Sequence, residues 1–252
     1  MTWLLTLAFD GTEYCGFQVQ PNGRSVAAAF QDALEAVIGF RPDIKGCSRT
    51  DAGVHALGFA LSFEADLRIP PEKLPLALNT KLPRDIRVLK ARVVPDGFHA
   101  RYAAHTKTYL YRIRNSPIDS PFEERYYCRI PGRLDVERMQ RAAAHFVGTH
   151  DFLALCAAHS SAAAHGDTVR TITACGAERH GDTVEITVTA DGYLYNMVRI
   201  LAGTLCEAGA GRLDPEAVPA ILASRDRRLA GPTLPAKGLF LHHVDYGKEA
   251  EG

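Results

Sequence analysis

The sequence predicts an α+β fold with mixed or largely antiparallel sheets flanked by helices. Strand-like runs that alternate apolar and polar residues occur together with helix-like runs whose apolar period is about 3.6 residues. They follow one another as strand, helix, strands, helix, strands, and a similar set comes after them. A hydrophobic fraction of 46% over 252 residues is enough for one large core or two smaller ones.

The strand predictions rest on short apolar runs that are rich in β-branched and aromatic residues. His180-Gly181-Asp182 supplies turn residues for a hairpin between two of these runs. The predicted strands cover residues 3–9, 57–63, 86–94, 107–114, 171–177, 184–190 and 239–244.

The helix predictions rest on apolar periodicity and on capping residues. Ser25 and Asp135 can each cap a helix, because their side chains can accept from backbone N–H groups of the first turn. Pro219 keeps a third helix short or distorted, and a fourth, mostly apolar, segment ends in glycines. The predicted helices cover residues 26–38, 136–148, 193–211 and 215–224.

Composition excludes several classes of protein. No apolar run approaches the ~20 residues of a membrane span, and the start resembles a strand rather than a signal peptide, so we expect a cytoplasmic protein without a membrane partner. The six cysteines show no CxxC spacing and the histidines form no HxxxH pair, which argues against a metal site. Phosphate-binding glycine motifs are absent too, so no nucleotide cofactor is indicated.

The distribution of charge is more informative than its sum. Lys+Arg and Asp+Glu are both 29, which by itself argues against a nucleic-acid binder. Residues 84–114, however, contain eight Lys or Arg and two Asp. A local basic face can hold phosphates, although an ordinary solvated surface explains the same charges equally well.

The stretch SRTDAGVHA, residues 48–56, carries the first candidate for chemistry. Asp51 lies in a polar segment with neither strand nor helix periodicity. A loop aspartate is usually a turn former or a helix cap. If Thr50 and Gly53 shape the turn instead, Asp51 can act as a nucleophile or a base, provided that a cation or hydrogen bonds keep it ionised.

Tyr109 and Arg199 lie far from Asp51 in the sequence, and either could have Asp51 as a partner in a cleft. On a strand over KTYLYRIRN, Tyr109 and Tyr111 share one face, and a tyrosine that faces a cleft can stack on a base. Core packing is the simpler interpretation. Arg199 lies in an otherwise apolar helix, where an arginine requires an anionic partner, and Asp51 is a candidate.

Four motifs in a fixed order make the chain similar to the tRNA pseudouridine synthase A family. They are FDGTEYCGFQVQ, SRTDAGVHA, GFHARYAAHTKTYLYRI and NMVRI, and the resemblance runs from Leu5 to Tyr246. It implies isomerisation of uridine to pseudouridine at positions 38, 39 and 40 of the tRNA anticodon stem-loop, without a metal or organic cofactor. It also implies a homodimer in which each tRNA touches both subunits.

The resemblance implies two similar α/β halves that meet at a central cleft. Residues 1–104 would carry the catalytic aspartate loop, and residues 105–252 the tyrosine strand and the arginine helix. Asp51 matches the catalytic aspartate, for which we predict a nucleophilic role, Tyr109 matches the active-site tyrosine, and Arg199 matches the arginine that pairs with the aspartate. Tyr109 is expected to stack on the substrate base and can take part in proton transfer.

Further residues are expected at the RNA. Arg49 matches an arginine linked to prising out the target base, and a basic surface is expected to hold the RNA backbone. His55 also fits a structural hydrogen-bonding role. Ser48, Phe17 and Ala27 depart from the residues usual in the family. The predicted RNA contacts are Arg49, Arg24, His55, Lys107 and Arg101.

Several alternatives stay open at this point. Asp51 could attack C1′, attack C6 or remove the 2′ proton. A noncatalytic RNA-binding module would not need Asp51, and a glycosidase or nucleosidase would need a second acid such as Glu64 or Asp85. The small, polar stretch 159–167 is predicted to be a mobile loop.

Overall fold

The computed structural model describes residues 1–21, 23–157 and 164–250. The chain divides into two compact units, one formed by Met1–Thr106 with Phe240–Gly252 and the other by Lys107–Leu239. The predicted boundary lies between residues 104 and 105, with the last strand in the second half. In the structure, Phe240–Gly252 belongs to the first unit.

The regular elements are numbered here in chain order. The strands are β1 (Thr2–Phe9), β2 (Ile44–Gly46), β3 (His55–Glu64), β4 (Ile86–Val94), β5 (Thr106–Arg114), β6 (Cys128–Arg129), β7 (Gly148–Asp151), β8 (Val169–His180), β9 (Thr183–Ala190) and β10 (Leu239–Asp245). The helices are α1 (Val26–Ile38), α2 (Leu74–Asn79), α3 (Val136–Ala144), α4 (Met197–Gly209) and α5 (Val218–Ser224).

The first unit contains a mixed sheet. Strand β1 lies between β4 and β3 and is antiparallel to both, and β2 is antiparallel to β3. Strand β10 pairs with β3 in parallel, with Phe240 opposite His55 and Leu241 opposite Ala56. Most side chains of β1 are buried, as are Phe30 and Leu34 on the apolar face of α1. Burial of these apolar side chains is the main source of stability of this unit.

The second unit is also mixed but mostly antiparallel. Strands β5, β9, β8 and β7 follow one another as antiparallel neighbours, and the short β6 is parallel to β5. Helix α3 packs against β8 and α4. Gly209 permits a close approach of these two helices, because an added Cβ there would lie 2.7 Å from Met139 Cγ. Both units therefore confirm the predicted α+β class with mixed, largely antiparallel sheets.

Helix α1 has the predicted bounds for the predicted reason. Ser25 is extended and its side chain accepts from the Ala28 N–H group at 3.2 Å, while Gly39 closes the helix in the left-handed conformation. The hairpin between β8 and β9 is confirmed as well, since His180 pairs with Thr183 and Gly181 has a φ of +60°. Each of these boundaries depends on residues adjacent in the sequence.

Several helix boundaries differ from the prediction, two of them by four residues. Helix α4 begins at Met197 rather than at residue 193, because Asn196 has a φ of +60° and interrupts the helical backbone. Helix α3 ends at Ala144, and Gly148 begins strand β7 with a φ of +118°. The predicted loop over 159–167 falls partly on residues 158–163, which lie outside the described residues.

The shortest helices and strands were not predicted from the sequence. Helix α2 and strands β2, β6 and β7 have at most six residues each, too few to show a period. Pro219 was expected to keep its helix short or distorted. The segment indeed forms a single 3-10 turn over Pro215–Ala217 followed by the short α5. In the described part of the chain, no helix has the length and hydropathy that a membrane crossing needs.

The N-terminal cap of α3 is formed by the side chain of Asp135. The Asp135 carboxylate accepts from the N–H groups of Glu137 and Arg138 at 3.0 and 3.2 Å. Asp135→Ala should destabilise the protein by about 1 kcal/mol, because two N–H groups of the first turn lose their acceptor. Asp135→Asn keeps an acceptor oxygen and should cost less. Urea unfolding of both variants measures the difference, and equal stability of Asp135→Ala and the parent would contradict the capping role.

Candidate active site

The Asp51 loop connects β2 to β3 and is held by backbone hydrogen bonds to a second segment. The N–H group of Phe17 donates to the Thr50 carbonyl at 3.3 Å, and that of Gly53 donates to the Tyr14 carbonyl at 3.2 Å. The Val54 N–H group closes the turn on the Asp51 carbonyl at 3.2 Å. Asp51 itself is partly exposed. Its backbone is thus fixed on both sides while its side chain stays accessible.

Glycines allow this close approach. A Cβ added to Gly16 would lie 2.4 Å from the Thr50 carbonyl oxygen, and Gly16 has a φ of +104°. A Cβ on Gly11 would lie 2.0 Å from the Val54 carbonyl oxygen. These distances exclude any side chain at either position without a backbone shift. The FDGTEYCGFQVQ segment therefore packs closely against SRTDAGVHA and supports its backbone.

Tyr14 connects this support to Asp85. The Tyr14 hydroxyl donates to Asp85 Oδ1 at 2.6 Å, and the Arg24 guanidinium lies 4.6 Å from the centre of the Tyr14 ring. Arg24 also pairs with Asp85 at 3.5 Å. Burial, followed by the bond to Asp85, raises the pKa of Tyr14 well above its usual range, so the hydroxyl stays a donor. Asp85 is thereby engaged as an acceptor for Tyr14 and Arg24.

His55 follows the loop and is buried, with 1% of its surface exposed. Its Nδ1 accepts from the Gly11 N–H group at 3.0 Å, and its ring stacks on Phe240 at a centroid distance of 4.7 Å. A ring in this position supports the loop and has no surface for an RNA contact. The structural interpretation of His55 therefore replaces the predicted RNA contact.

Arg49 and Arg101, two of the predicted RNA contacts, line one cavity of the first unit. The cavity has a volume of about 370 Å³, and both arginines are exposed. Lys45 lies on the same rim, where it forms an ion pair with Asp43. Arg24 is engaged with Tyr14 and Asp85 instead.

Tyr109 lies on β5 in the second unit and is buried. Tyr109, Tyr111 and Ile113 are all buried, and Leu110 on the opposite face of the strand is buried as well, so burial does not follow the predicted alternation strictly. The Tyr109 ring meets the Tyr193 ring edge to face, with centroids 4.9 Å apart. The Tyr193 hydroxyl lies 2.7 Å from the Lys107 carbonyl and 2.8 Å from the Val188 carbonyl, and it donates there. Tyr193, which the sequence analysis did not single out, thus orients Tyr109.

Arg199 lies in the first turn of α4 and is half-buried. Its Nε donates to the Leu234 carbonyl at 2.6 Å and its Nη1 to Asn196 Oδ1 at 2.9 Å. These bonds use two of the five N–H donors of a guanidinium. The Tyr111 hydroxyl donates to the neighbouring Pro235 carbonyl at 2.7 Å. One chain segment, 234–235, thus holds both Arg199 and the tyrosine face of β5.

The basic segment 84–114 does not form a single open face. Arg112 pairs with Glu185 at 3.1 Å, and Arg114 lies near two carboxylates, Glu123 at 3.3 Å and Asp182 at 3.4 Å. The segment is also divided between the two units after Thr106. The expectation of one basic surface over this segment was therefore too simple, because acids distant in sequence neutralise part of it.

Substitution of Gly16 tests the support of the Asp51 loop. Gly16→Ala should lower the free energy of unfolding by about 1–3 kcal/mol from backbone strain alone, and the clash with Thr50 adds to this. Gly132 has no atom within 4 Å of an added Cβ and serves as the matched control. Gly132→Ala should change stability by less than about 0.5 kcal/mol in the same urea titration. Equal stability of the two variants would refute the close approach at Gly16.

A family model and several known proteins match this chain over most of its length. The family model described as tRNA pseudouridine synthase matches residues 6–103 and 142–247. The chain is 47% identical over 244 residues to tRNA pseudouridine synthase A of Moorella thermoacetica, covering 96% of this chain and 98% of that protein.

Two further relatives agree. The protein of the same name from Shouchella clausii is 45% identical over 243 residues, with 96% and 92% of the two chains covered. That from Bacillus pumilus is 42% identical over 245 residues, with 96% and 97% covered. The supported aspartate loop and this similarity over nearly the whole length lead to one conclusion: the chain belongs to the tRNA pseudouridine synthase family.

Proposed function

We propose that this chain converts uridine to pseudouridine at positions 38, 39 and 40 of the tRNA anticodon stem-loop, with Asp51 as the catalytic carboxylate. Membership of the family makes the chain an isomerase that acts on tRNA. The observation that carries the assignment of Asp51 is its place in the structure. The backbone around it is tied to the 14–17 segment on both sides, and the residue is partly exposed.

The reaction needs only one carboxylate. The C1′–N1 bond breaks, the uracil turns, and a C1′–C5 bond forms, so that N1 gains a proton and C5 loses one. Asp51 begins this sequence by attack at C1′, by attack at C6 or by removal of the 2′ proton. A hydrolytic glycosidase would need a second carboxylate beside the first. Asp85 already accepts from Tyr14 and Arg24, which favours the isomerase over a nucleosidase.

Arg199 is proposed to keep Asp51 ionised and oriented. A guanidinium near a carboxylate favours the charged form of the acid, and it does so most strongly where water is excluded. The bonds from Arg199 to Leu234 and Asn196 support this role, because they fix the side chain in advance. A fixed cation lowers the cost of orienting the aspartate during the reaction.

Tyr109 is proposed to stack on the uracil and to assist proton removal from C5. The edge-to-face contact with Tyr193 supports the stacking role, since it restrains the ring. The uridine must first leave its stack, which costs a few kcal/mol. Arg49 is exposed and can fill the gap or hold a phosphate. Lys107 and Arg101 would add backbone contacts, and recognition by shape suits an enzyme that modifies neighbouring positions.

We also propose that the enzyme works in the cytoplasm as a homodimer in which each tRNA touches both subunits. This proposal follows from the resemblance of the four motifs. One assay tests the whole function: unmodified tRNA is incubated with the protein and analysed for pseudouridine and for free uracil. Pseudouridine alone supports the isomerase, free uracil would indicate a nucleosidase, and neither product would leave an RNA-binding module.

Asp51→Asn separates chemistry from binding. The variant should lose tritium release from [5-³H]uridine-labelled tRNA, because the amide can neither attack carbon nor take a proton. Its affinity for tRNA should persist. Glu64→Gln is the matched control, since Glu64 is an exposed carboxylate at the end of β3. Near-normal turnover by Asp51→Asn, or an equal loss in Glu64→Gln, would overturn the assignment of Asp51.

Tyr109→Phe separates stacking from proton transfer. The ring is kept, so tRNA affinity should stay near that of the parent, while turnover should fall by about 10²-fold if the hydroxyl moves a proton. Tyr127→Phe removes a hydroxyl from the same unit and should leave turnover unchanged. Single-turnover rates measure the effect. An unaffected rate in Tyr109→Phe would restrict Tyr109 to packing and stacking.

A further inference from the structure

The turn that follows β4 presents an exposed aromatic ring. Tyr102 has 77% of its surface exposed, although Ala100, two residues earlier, has 0%. The His99 ring lies against Tyr102 with centroids 4.3 Å apart, and the Arg101 guanidinium lies 5.9 Å from the centre of the Tyr102 ring. The turn therefore carries two rings and a cation side by side at the surface.

The backbone beneath these rings is firmly anchored. The Ala100 N–H group donates to the buried Ser62 hydroxyl at 3.0 Å, and the Ala100 carbonyl accepts from the Tyr246 hydroxyl at 2.7 Å. The His99 carbonyl accepts from the N–H groups of Tyr102 and Ala103. An exposed aromatic residue on a fixed backbone loses little conformational entropy when a ligand covers it.

The rings stand at the edge of the cavity that contains Arg49. Its rim carries the cations Lys45, Arg49 and Arg101 and one acid, Asp43, which pairs with Lys45. Within residues 1–21, 23–157 and 164–250, neither Arg49 nor Arg101 forms an ion pair with an acidic side chain. The volume of about 370 Å³ lies in the range of about 300–1,000 Å³ that is typical of small-ligand sites.

The chemistry of this surface fits an unpaired nucleotide. A base stacks on an aromatic side chain through its π face, and unpaired arginines hold the phosphates that flank it. Burial, with Lys45 and Arg101 adding to it, lowers the pKa of His99, so this ring is uncharged at neutral pH and can share in stacking. The exposed amide of Gln18, also on the cavity, can reach polar groups of a base edge.

We propose that Tyr102 and His99 form a stacking platform for an unpaired nucleotide of the tRNA substrate, whose phosphates are held by Arg49 and Arg101. The platform is distinct from the Tyr109 ring, which lies on β5 of the second unit. It binds a nucleotide of the anticodon loop other than the uridine that reacts. The proposal rests on the proposed function only in taking tRNA as the source of the nucleotide.

Binding measurements on Tyr102 variants test the platform. All variants are made in the Asp51→Asn background, so that RNA binds without turnover, and a fluorescently labelled anticodon stem-loop is titrated. Tyr102→Ala should weaken binding by about 5- to 150-fold, as expected for the loss of one stacked base. Tyr102→Phe keeps the π face and should stay within about twofold of the parent. A blunt-ended RNA duplex of similar length, which has no unpaired nucleotide, should bind all variants alike.

Phe122 supplies the matched control, because its ring is 91% exposed in the other unit and has no part in the platform. Phe122→Ala should leave affinity for the stem-loop unchanged. An unchanged affinity in Tyr102→Ala would overturn the proposal, as would an equal loss for the stem-loop and the RNA duplex. A change in oligomeric state of Tyr102→Ala with unchanged RNA affinity would assign the rings to a protein contact and would also overturn it.

A salt titration tests the cationic rim. Arg49→Gln and Arg101→Gln should each reduce the slope of log affinity against log salt by about 0.7–1, because one phosphate contact is lost. A slope that stays unchanged in both variants would overturn the phosphate role. The pseudouridine assay on the parent protein keeps the two proposals apart. If the parent forms pseudouridine and Tyr102→Ala binds normally, only the platform fails.

Discussion

The Asp51 loop depends on the close backbone contact between two segments of the first unit. The N–H group of Phe17 reaches the Thr50 carbonyl only because Gly16 has no Cβ and adopts a positive φ. A second contact of the same kind joins Gly11 to Val54, and His55 accepts from the Gly11 N–H group beside it. The polar residues of SRTDAGVHA therefore have a defined backbone, although residues 48–54 contain no regular secondary structure. A reactive carboxylate needs such restraint, since small displacements reduce catalysis strongly.

The polar residues around this loop divide into those that support it and those proposed to react. Asp85 accepts from Tyr14 and Arg24, and His55 is enclosed between Gly11 and Phe240. The hydrogen bonds of these groups support the Asp51 loop and the segment packed against it. In the second unit, the Tyr193 ring restrains Tyr109 by an edge-to-face contact, and the Leu234 carbonyl accepts a hydrogen bond from Arg199. The residues proposed for chemistry are thus each held by a neighbour that takes no direct part.

Zero net charge is compatible with an RNA substrate because acidic side chains pair with some of the basic side chains and not with others. Arg112 and Arg114 are matched by acids on neighbouring segments, so they add little positive potential. Arg49 and Arg101 stand on the rim of a cavity that holds one acid, and this acid pairs with Lys45. Local potential, rather than the sum over the chain, determines where phosphate binds. The exposed Tyr102 ring beside this rim is proposed to add contact area that is independent of salt.

Local patterns in the sequence determined the α+β class, the longer strands, the bounds of α1 and the hairpin turn at Gly181, because periodicity and caps act between residues close in the chain. The motifs themselves pointed to Asp51. Only the tertiary structure decided where α4 begins, which acids neutralise Arg112 and Arg114, and that His55 is buried. It also decided that β10 pairs with β3. The ion pairs, the burial of His55 and the pairing of β10 depend on contacts between residues far apart in sequence, and such contacts leave no periodic signal along the chain.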